Sequence, residues 1–323
     1  MTDSAAARAN ALLAAGNIDA ATALVVEASD AGDVGALMLQ ATWRLIGSPL
    51  PRELPAARAL LRRAVAIGHV DAALMEVALT ANGSGAPADW AGALALLRIA
   101  AKSDPVAAAQ LALLDATAID AEGNPKTVPQ GQPLASAPRI LHFAGLLTPD
   151  ECAHLAGAGN AVLEPARVFD PATGRMIPHP VRTSDAGTIG PAREDLVVQA
   201  INRRIAAISG TSAAQGEPLV VLRYSPGQEY RLHLDAIPGA GNQRIMTVLV
   251  YLNGGFPGGE TVFPEPGVTV APRGGDAVLF DNLRDDGTPD PRARHAGLPV
   301  RQGVKWLATR WIRRDPIDVW AAG

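Results

Sequence analysis

Cysteine is almost missing from this sequence. Cys152 stands alone among 323 residues, so no internal disulfide can form. Long apolar runs are missing too, and nothing approaches the ~20 consecutive apolar residues that would span a bilayer. The opening "MTDSAAARANALLAAGNIDAA" has an acid at position 3, no basic leader and no continuous apolar core, so no secretory signal is expected. With the single thiol, this points to a reducing cytoplasm. A basic stripe is also lacking: 28 Lys and Arg face 32 Asp and Glu, for a formal charge of −4, and the cations are scattered. Nucleic acid is therefore not an expected partner, and neither is a membrane. What is present is 48% hydrophobic and 19% charged residues, a balance that suits a globular chain long enough for two domains.

Composition shifts along the chain. Up to about residue 118, alanine and leucine dominate and favour helix; from about 137 onward, valine, glycine, proline and threonine are enriched. The expected organisation is an all-α domain over 1–120, a linker over 121–136 and a strand-rich domain over 137–323. The first part repeats at about 36 residues, with Leu24, Leu60 and Leu96 in register, as are Ala28, Ala64 and Ala100, and Ala36, Ala72 and Ala108. Each unit reads as helix, short turn and helix, which stack into a solenoid. The pattern resembles Sel1-like repeats, relatives of the tetratricopeptide repeat, whose usual use is to hold a peptide or protein. An alanine-rich bundle without true repeats is the alternative.

Beyond the linker, Thr148 is a candidate helix N-cap with Asp150 and Glu151 in the first turn, and "REDLVVQAINRRIAAISG" reads as an amphipathic helix ending at Gly210. Short runs rich in β-branched and aromatic residues follow: "PLVVLRY", "IMTVLVYLN", "GETVFPEPG", "GDAVLFDN" and "VKWLATRWIRR". Strands at this spacing suggest a sandwich or jelly roll with flanking helices, so the whole chain reads as α+β in two domains.

His233 and Asp235 lie two apart, on one face of a strand. They are either a satisfied polar pair at a strand end or two legs of a metal site. His295, in "DPRARHAGLPV", is either a surface histidine or a third ligand. Two histidines and a carboxylate would form the facial set used by non-haem Fe(II) oxygenases, which leaves positions open. Lys305 sits in a strand suited to burial, where an unpaired ammonium is costly and needs an anion. A dicarboxylic cosubstrate such as 2-oxoglutarate would supply one.

The motifs "VRTSDAG" (181–187), "LRYSPGQEYRLHLD" (222–235), "QRIMTVLVYLN" (243–253), "GGETVFP" (258–264), "GDAVLFDN" (275–282) and "RHAGLPVRQGVKWLATRWI" (294–312) occur in order. Over roughly 137–315 the sequence resembles the prolyl 4-hydroxylase branch of the 2-oxoglutarate- and Fe(II)-dependent dioxygenases. That resemblance implies a double-stranded β-helix with His233, Asp235 and His295 as catalytic iron ligands. It further implies that Lys305 binds the distal carboxylate of 2-oxoglutarate, assisted by Thr247, with Tyr224 near the cosubstrate. Tyr230, Arg244 and Trp311 match positions on the substrate side. The implied cofactors are Fe(II), 2-oxoglutarate and dioxygen, with ascorbate as reductant. The implied reaction is hydroxylation of a peptide or protein, at proline first and otherwise at another residue or a small metabolite. Related halogenases resemble this fold but carry a small residue where Asp235 stands. Residues 167–184, with His179 expected to face solvent, resemble the family's mobile substrate loop, an ordinary hairpin being the alternative. A reading from a different class is an interaction protein whose repeats do the work and whose jelly roll is inert.

Overall fold

The computed structural model describes residues 4–170, 175–178 and 181–321; His179 lies outside them. The chain divides into two compact units, Met1–Gly123 with Pro191–Gln199, and Asn124–Gly190 with Ala200–Ala322.

In the first unit, α1 (Ala5–Ala14), α2 (Ile18–Asp30), α3 (Val34–Ile46), α4 (Leu54–Ala66), α5 (Val70–Asn82), α6 (Trp90–Ala100) and α7 (Pro105–Ala116) follow one another through short turns. The repeat has a physical basis at both helix positions. Ala21, Ala57 and Ala93, and likewise Val25, Leu61 and Leu97, are fully buried at intervals of 36 in α2, α4 and α6. The second helices start on capping side chains, Asp33, His69 and Asp104, which accept from the backbone N–H of Ala36, Ala72 and Ala107. The second interval between these caps is thus 35, not 36. The buried alanine that matches Ala36 and Ala72 is Ala107, and Ala108 lies one position off the expected alignment. Gly47 and Gly83, both left-handed, end α3 and α5 one repeat apart.

The second unit begins with β1 (Gln132–Ser136), β2 (Arg139–Phe143) and α8 (Pro149–Asn160). Thr148 caps α8 in a full capping box with Glu151, as its sequence suggests. A Cβ on Gly159 would sit 2.3 Å from that of Val221, so only glycine lets this helix lie so close to the sheet. Next come β3 (Glu164–Pro165), β4 (Arg167–Asp170), β5 (Arg175–Pro178) and β6 (Asp185–Ile189). The fourth and fifth strands pair antiparallel within the stretch that resembles a substrate loop. Helix α9 (Leu196–Ser209) then leads into β7 (Leu219–Tyr224), β8 (Tyr230–His233), β9 (Arg244–Tyr251), β10 (Thr261–Phe263), β11 (Val268–Val270), β12 (Ala277–Asp281), β13 (His295–Gly297) and β14 (Lys305–Arg313).

These strands build an eight-stranded sheet, ordered β1-β2-β12-β9-β14-β7-β6-β3, and a four-stranded sheet, ordered β11-β10-β13-β8, with all named pairs antiparallel. Leu222, Tyr251, Phe280 and Leu307 from the first sheet and Phe263 and Val270 from the second belong to one buried cluster. This is the jelly roll expected from the spacing of the runs. Among the described residues, no helix is long and apolar enough to cross a membrane.

Candidate metal centre

The second sheet places the two histidines. Strands β13 and β8 pair with His295 directly opposite His233, and the ring centroids are 4.3 Å apart. The strand carrying His233 ends there, so Asp235 reaches the same point from the bend just beyond it and not from the strand itself. Its Oδ1 lies 3.5 Å from His233 Nε2 and its Oδ2 3.8 Å from His295 Nε2. One ligand atom from each of the three residues falls within 4.8 Å of the others.

Both imidazoles are oriented by backbone carbonyls. His233 Nδ1 lies 2.7 Å from Arg231 O and His295 Nδ1 lies 3.1 Å from Ala293 O. A carbonyl only accepts, so each Nδ1 carries the proton and each Nε2 lone pair faces the cluster. Tyr230 stacks on His233 at 3.5 Å, while Phe263 and Phe280 flank His295. Burial lowers the His295 imidazole to about 4, which keeps it neutral and able to donate its lone pair. For Asp235, burial pushes upward. The neighbouring His295 and His233 and the Thr247 hydroxyl outweigh it and hold the carboxyl well below its usual range.

These groups fit a divalent cation. His233 Nε2 is buried and has no hydrogen-bond partner, a cost that a coordinate bond would remove. Neutral His295 and anionic Asp235 supply the nitrogen and oxygen donors that suit Fe(II).

Lys305 is 2% exposed, its Nζ donates to Gly259 O at 2.7 Å, and burial depresses the ammonium to about 7. The Tyr224 and Tyr251 rings lie 5.2 and 5.6 Å from that nitrogen. Tyr224, Tyr230, His233, Asp235, His295, Lys305 and Trp311 line a single pocket. Two expected residues behave otherwise. Thr247 does not reach toward Lys305. Its hydroxyl donates to Asp235 Oδ2 at 2.7 Å, and the threonine in the pocket with Lys305 is Thr261, whose Oγ1 accepts from the Tyr251 hydroxyl at 2.8 Å. Thr261 lies within the "GGETVFP" motif, where nothing in its local sequence marks it as a site residue. Arg244, matched to the substrate side, is held by an acid. Glu217 receives its Nε and Nη2 at 2.7 and 2.8 Å, and the group stacks 4.0 Å from the Trp311 ring. It braces the wall of the pocket.

Residues 219–313 match the family model of the 2OG-Fe(II) oxygenase superfamily. Probable prolyl 4-hydroxylase 4 of Arabidopsis thaliana is 36% identical over 221 residues, covering 60% of this chain and 73% of its own length. Prolyl 4-hydroxylase 1 of the same plant is 37% identical over 197 residues, covering 55% and 70%. Among solved structures, the viral collagen prolyl hydroxylase of Paramecium Bursaria Chlorella virus-1, in its 2OG complex, is 27% identical. It aligns over 54% of this chain and 95% of its own, with a TM-score of 0.44.

Proposed function

The chain belongs to the prolyl 4-hydroxylase family of 2-oxoglutarate- and Fe(II)-dependent dioxygenases, and from that premise we propose that it hydroxylates prolyl residues in a peptide or protein substrate. 2-Oxoglutarate and dioxygen are consumed in this reaction, and succinate and carbon dioxide are the coproducts. The observation that carries the reading is a complete donor set, His233, Asp235 and His295, in one pocket with a buried lysine that makes no salt bridge among the described residues. A complete set also argues against an inert jelly roll.

When bound, Fe(II) supplies the one-electron and dioxygen chemistry that no side chain here can perform. His233, Asp235 and His295 would hold it and leave positions open for ligands. Lys305 Nζ supplies the charge that receives the distal carboxylate of 2-oxoglutarate, with Thr261 and Tyr224 lining the same end. Meeting that anion relieves an ammonium that burial otherwise penalises. Tyr230 and Trp311 form walls against which a prolyl ring packs, and Trp311 Nε1, buried and without a partner, can donate to a bound acceptor. The aromatic and aliphatic lining excludes water from the reacting carbon. Ascorbate would serve as reductant, and the lone, buried Cys152 suits a reducing cytoplasm.

The helical unit is assigned the task of holding the substrate chain. It carries a groove of about 650 Å³ whose wall includes Val65, Val70, Leu96 and Ile99, all well exposed for their type. Because Pro191–Gln199 clusters with this unit, a point substitution tests the idea more cleanly than a deletion. Ile99→Asp is expected to weaken turnover of the long native substrate and leave short prolyl peptides unaffected. Incubating the protein with Fe(II), 2-oxoglutarate, ascorbate and proteome-derived peptides tests the activity itself. A +16 Da product on proline is expected, and a product confined to other residues or to small metabolites would overturn the proline assignment.

A further inference from the structure

We propose that Thr247 and Asn282 form a relay that fixes the rotation of the Asp235 carboxylate and so presents a single oxygen, Oδ1, to the metal. The inference rests on the ligand reading above.

Thr247 is fully buried in β9, and Asn282, 1% exposed, follows the last residue of β12, the strand beside it. The asparagine backbone is fixed on both sides, its N–H donating to Ile245 O and its carbonyl accepting from Asp290 N–H, each at 2.9 Å. Its Nδ2 donates to Thr247 Oγ1 at 3.0 Å, and Thr247 Oγ1 donates to Asp235 Oδ2 at 2.7 Å. A hydroxyl has one proton, and the direction of these bonds follows from that. With an amide N–H aimed at its lone pair, the threonine has no acceptor on that side and must give its proton to Asp235. The reversed amide would offer Oδ1 of Asn282 and compete for that proton.

The observed orientation leaves Asn282 Oδ1 buried without a partner, while its Nδ2 is spent on Thr247. The consequence falls on the carboxylate. Both oxygens lie near a ligand nitrogen, Oδ1 3.5 Å from His233 Nε2 and Oδ2 3.8 Å from His295 Nε2, but only Oδ2 is tethered by the hydroxyl. A tethered oxygen is a poor second ligand, so the carboxylate stays monodentate and a coordination position is kept for the cosubstrates. Groups that orient a metal's ligands in this way typically change metal affinity by about 10- to 100-fold when removed. Thr247 and Asn282 are positioning residues that act through Asp235.

The test is anaerobic binding of Mn(II) to the full chain, followed by electron paramagnetic resonance, together with the visible spectrum of bound Co(II). Thr247→Val is expected to weaken Mn(II) binding by about 10- to 100-fold and to change the Co(II) spectrum, whereas Thr247→Ser should keep both near wild type. Asn282→Ala should show a smaller loss of affinity. Wild-type affinity and spectrum in Thr247→Val would overturn the relay, and wild-type affinity in Asn282→Ala would remove the asparagine from it. Should the valine protein fail to fold, Thr247→Ser and Thr247→Ala decide, because equal Mn(II) binding by these two also overturns the proposal. His295→Ala separates this inference from its premise. If that variant binds Mn(II) like wild type, the ligand reading fails; if it loses the metal while Thr247→Val does not, only the relay fails.

Discussion

Both units bury charge, but they treat it differently. In the helical unit, Arg58 and Glu76 are each about 95% buried and every demand is met: the guanidinium donates to both Glu76 oxygens, to Thr80 Oγ1 and to Ser84 O, and Arg62 adds a further donor to the same carboxylate. In the jelly roll, among the described residues, Lys305 Nζ donates only to a backbone carbonyl, and His233 Nε2 is buried without a hydrogen-bond partner. A closed network holds a structure together, whereas an open one waits for a ligand. Burial alone therefore does not mark a functional site; burial without completion does.

The comparison breaks most directly at the open site. His233→Ala, Asp235→Ala or His295→Ala should reduce succinate production to background while circular dichroism shows an unchanged fold, and near wild-type turnover in any of them would remove that residue from the metal centre. The closed network should answer in stability instead. Glu76→Ala strands a buried guanidinium and is expected to cost about 3–5 kcal/mol in denaturant melts, with the KM for 2-oxoglutarate unchanged in the folded fraction. Lys305→Ala should do the reverse, raising that KM by about 10- to 100-fold, since one charge-assisted contact is lost, with little loss of fold.

The smallest effect sharpens the contrast through pH. Lys305 titrates near 7 in the folded, ligand-free protein against 10.5 when exposed. Between those values the unfolded chain holds more protons, so this group makes the ligand-free protein more stable as pH rises from about 7 toward 10. Binding an anion requires the charged form. At pH 8 the binding of 2-oxoglutarate should therefore take up a proton, and affinity should decline as pH rises above 7. Calorimetry in buffers of different ionisation enthalpy reads this directly, and Lys305→Met should abolish the uptake.

Much of this was legible in the sequence because it is local or sharply patterned. Alanine, leucine and glycine at a fixed interval point to stacked helix pairs, although a one-residue shortening at Asp104 became visible only through the caps. A histidine two residues before an aspartate, a second histidine and a lysine ten residues later form a chemical set with few uses. What sequence could not decide was which threonine meets which charge. Thr247 and Thr261 both sit in strands with apolar neighbours, and nothing local separates them. Strand pairing does. Thr247 lies in β9 between Phe280 and Trp311, within reach of Asp235, while Thr261 lies opposite Gly297 beside the lysine. Likewise Glu217 claims Arg244 from 27 positions away. Side-chain chemistry names the candidates for a site, but cross-strand register, fixed by long-range backbone hydrogen bonds, decides which of them share it.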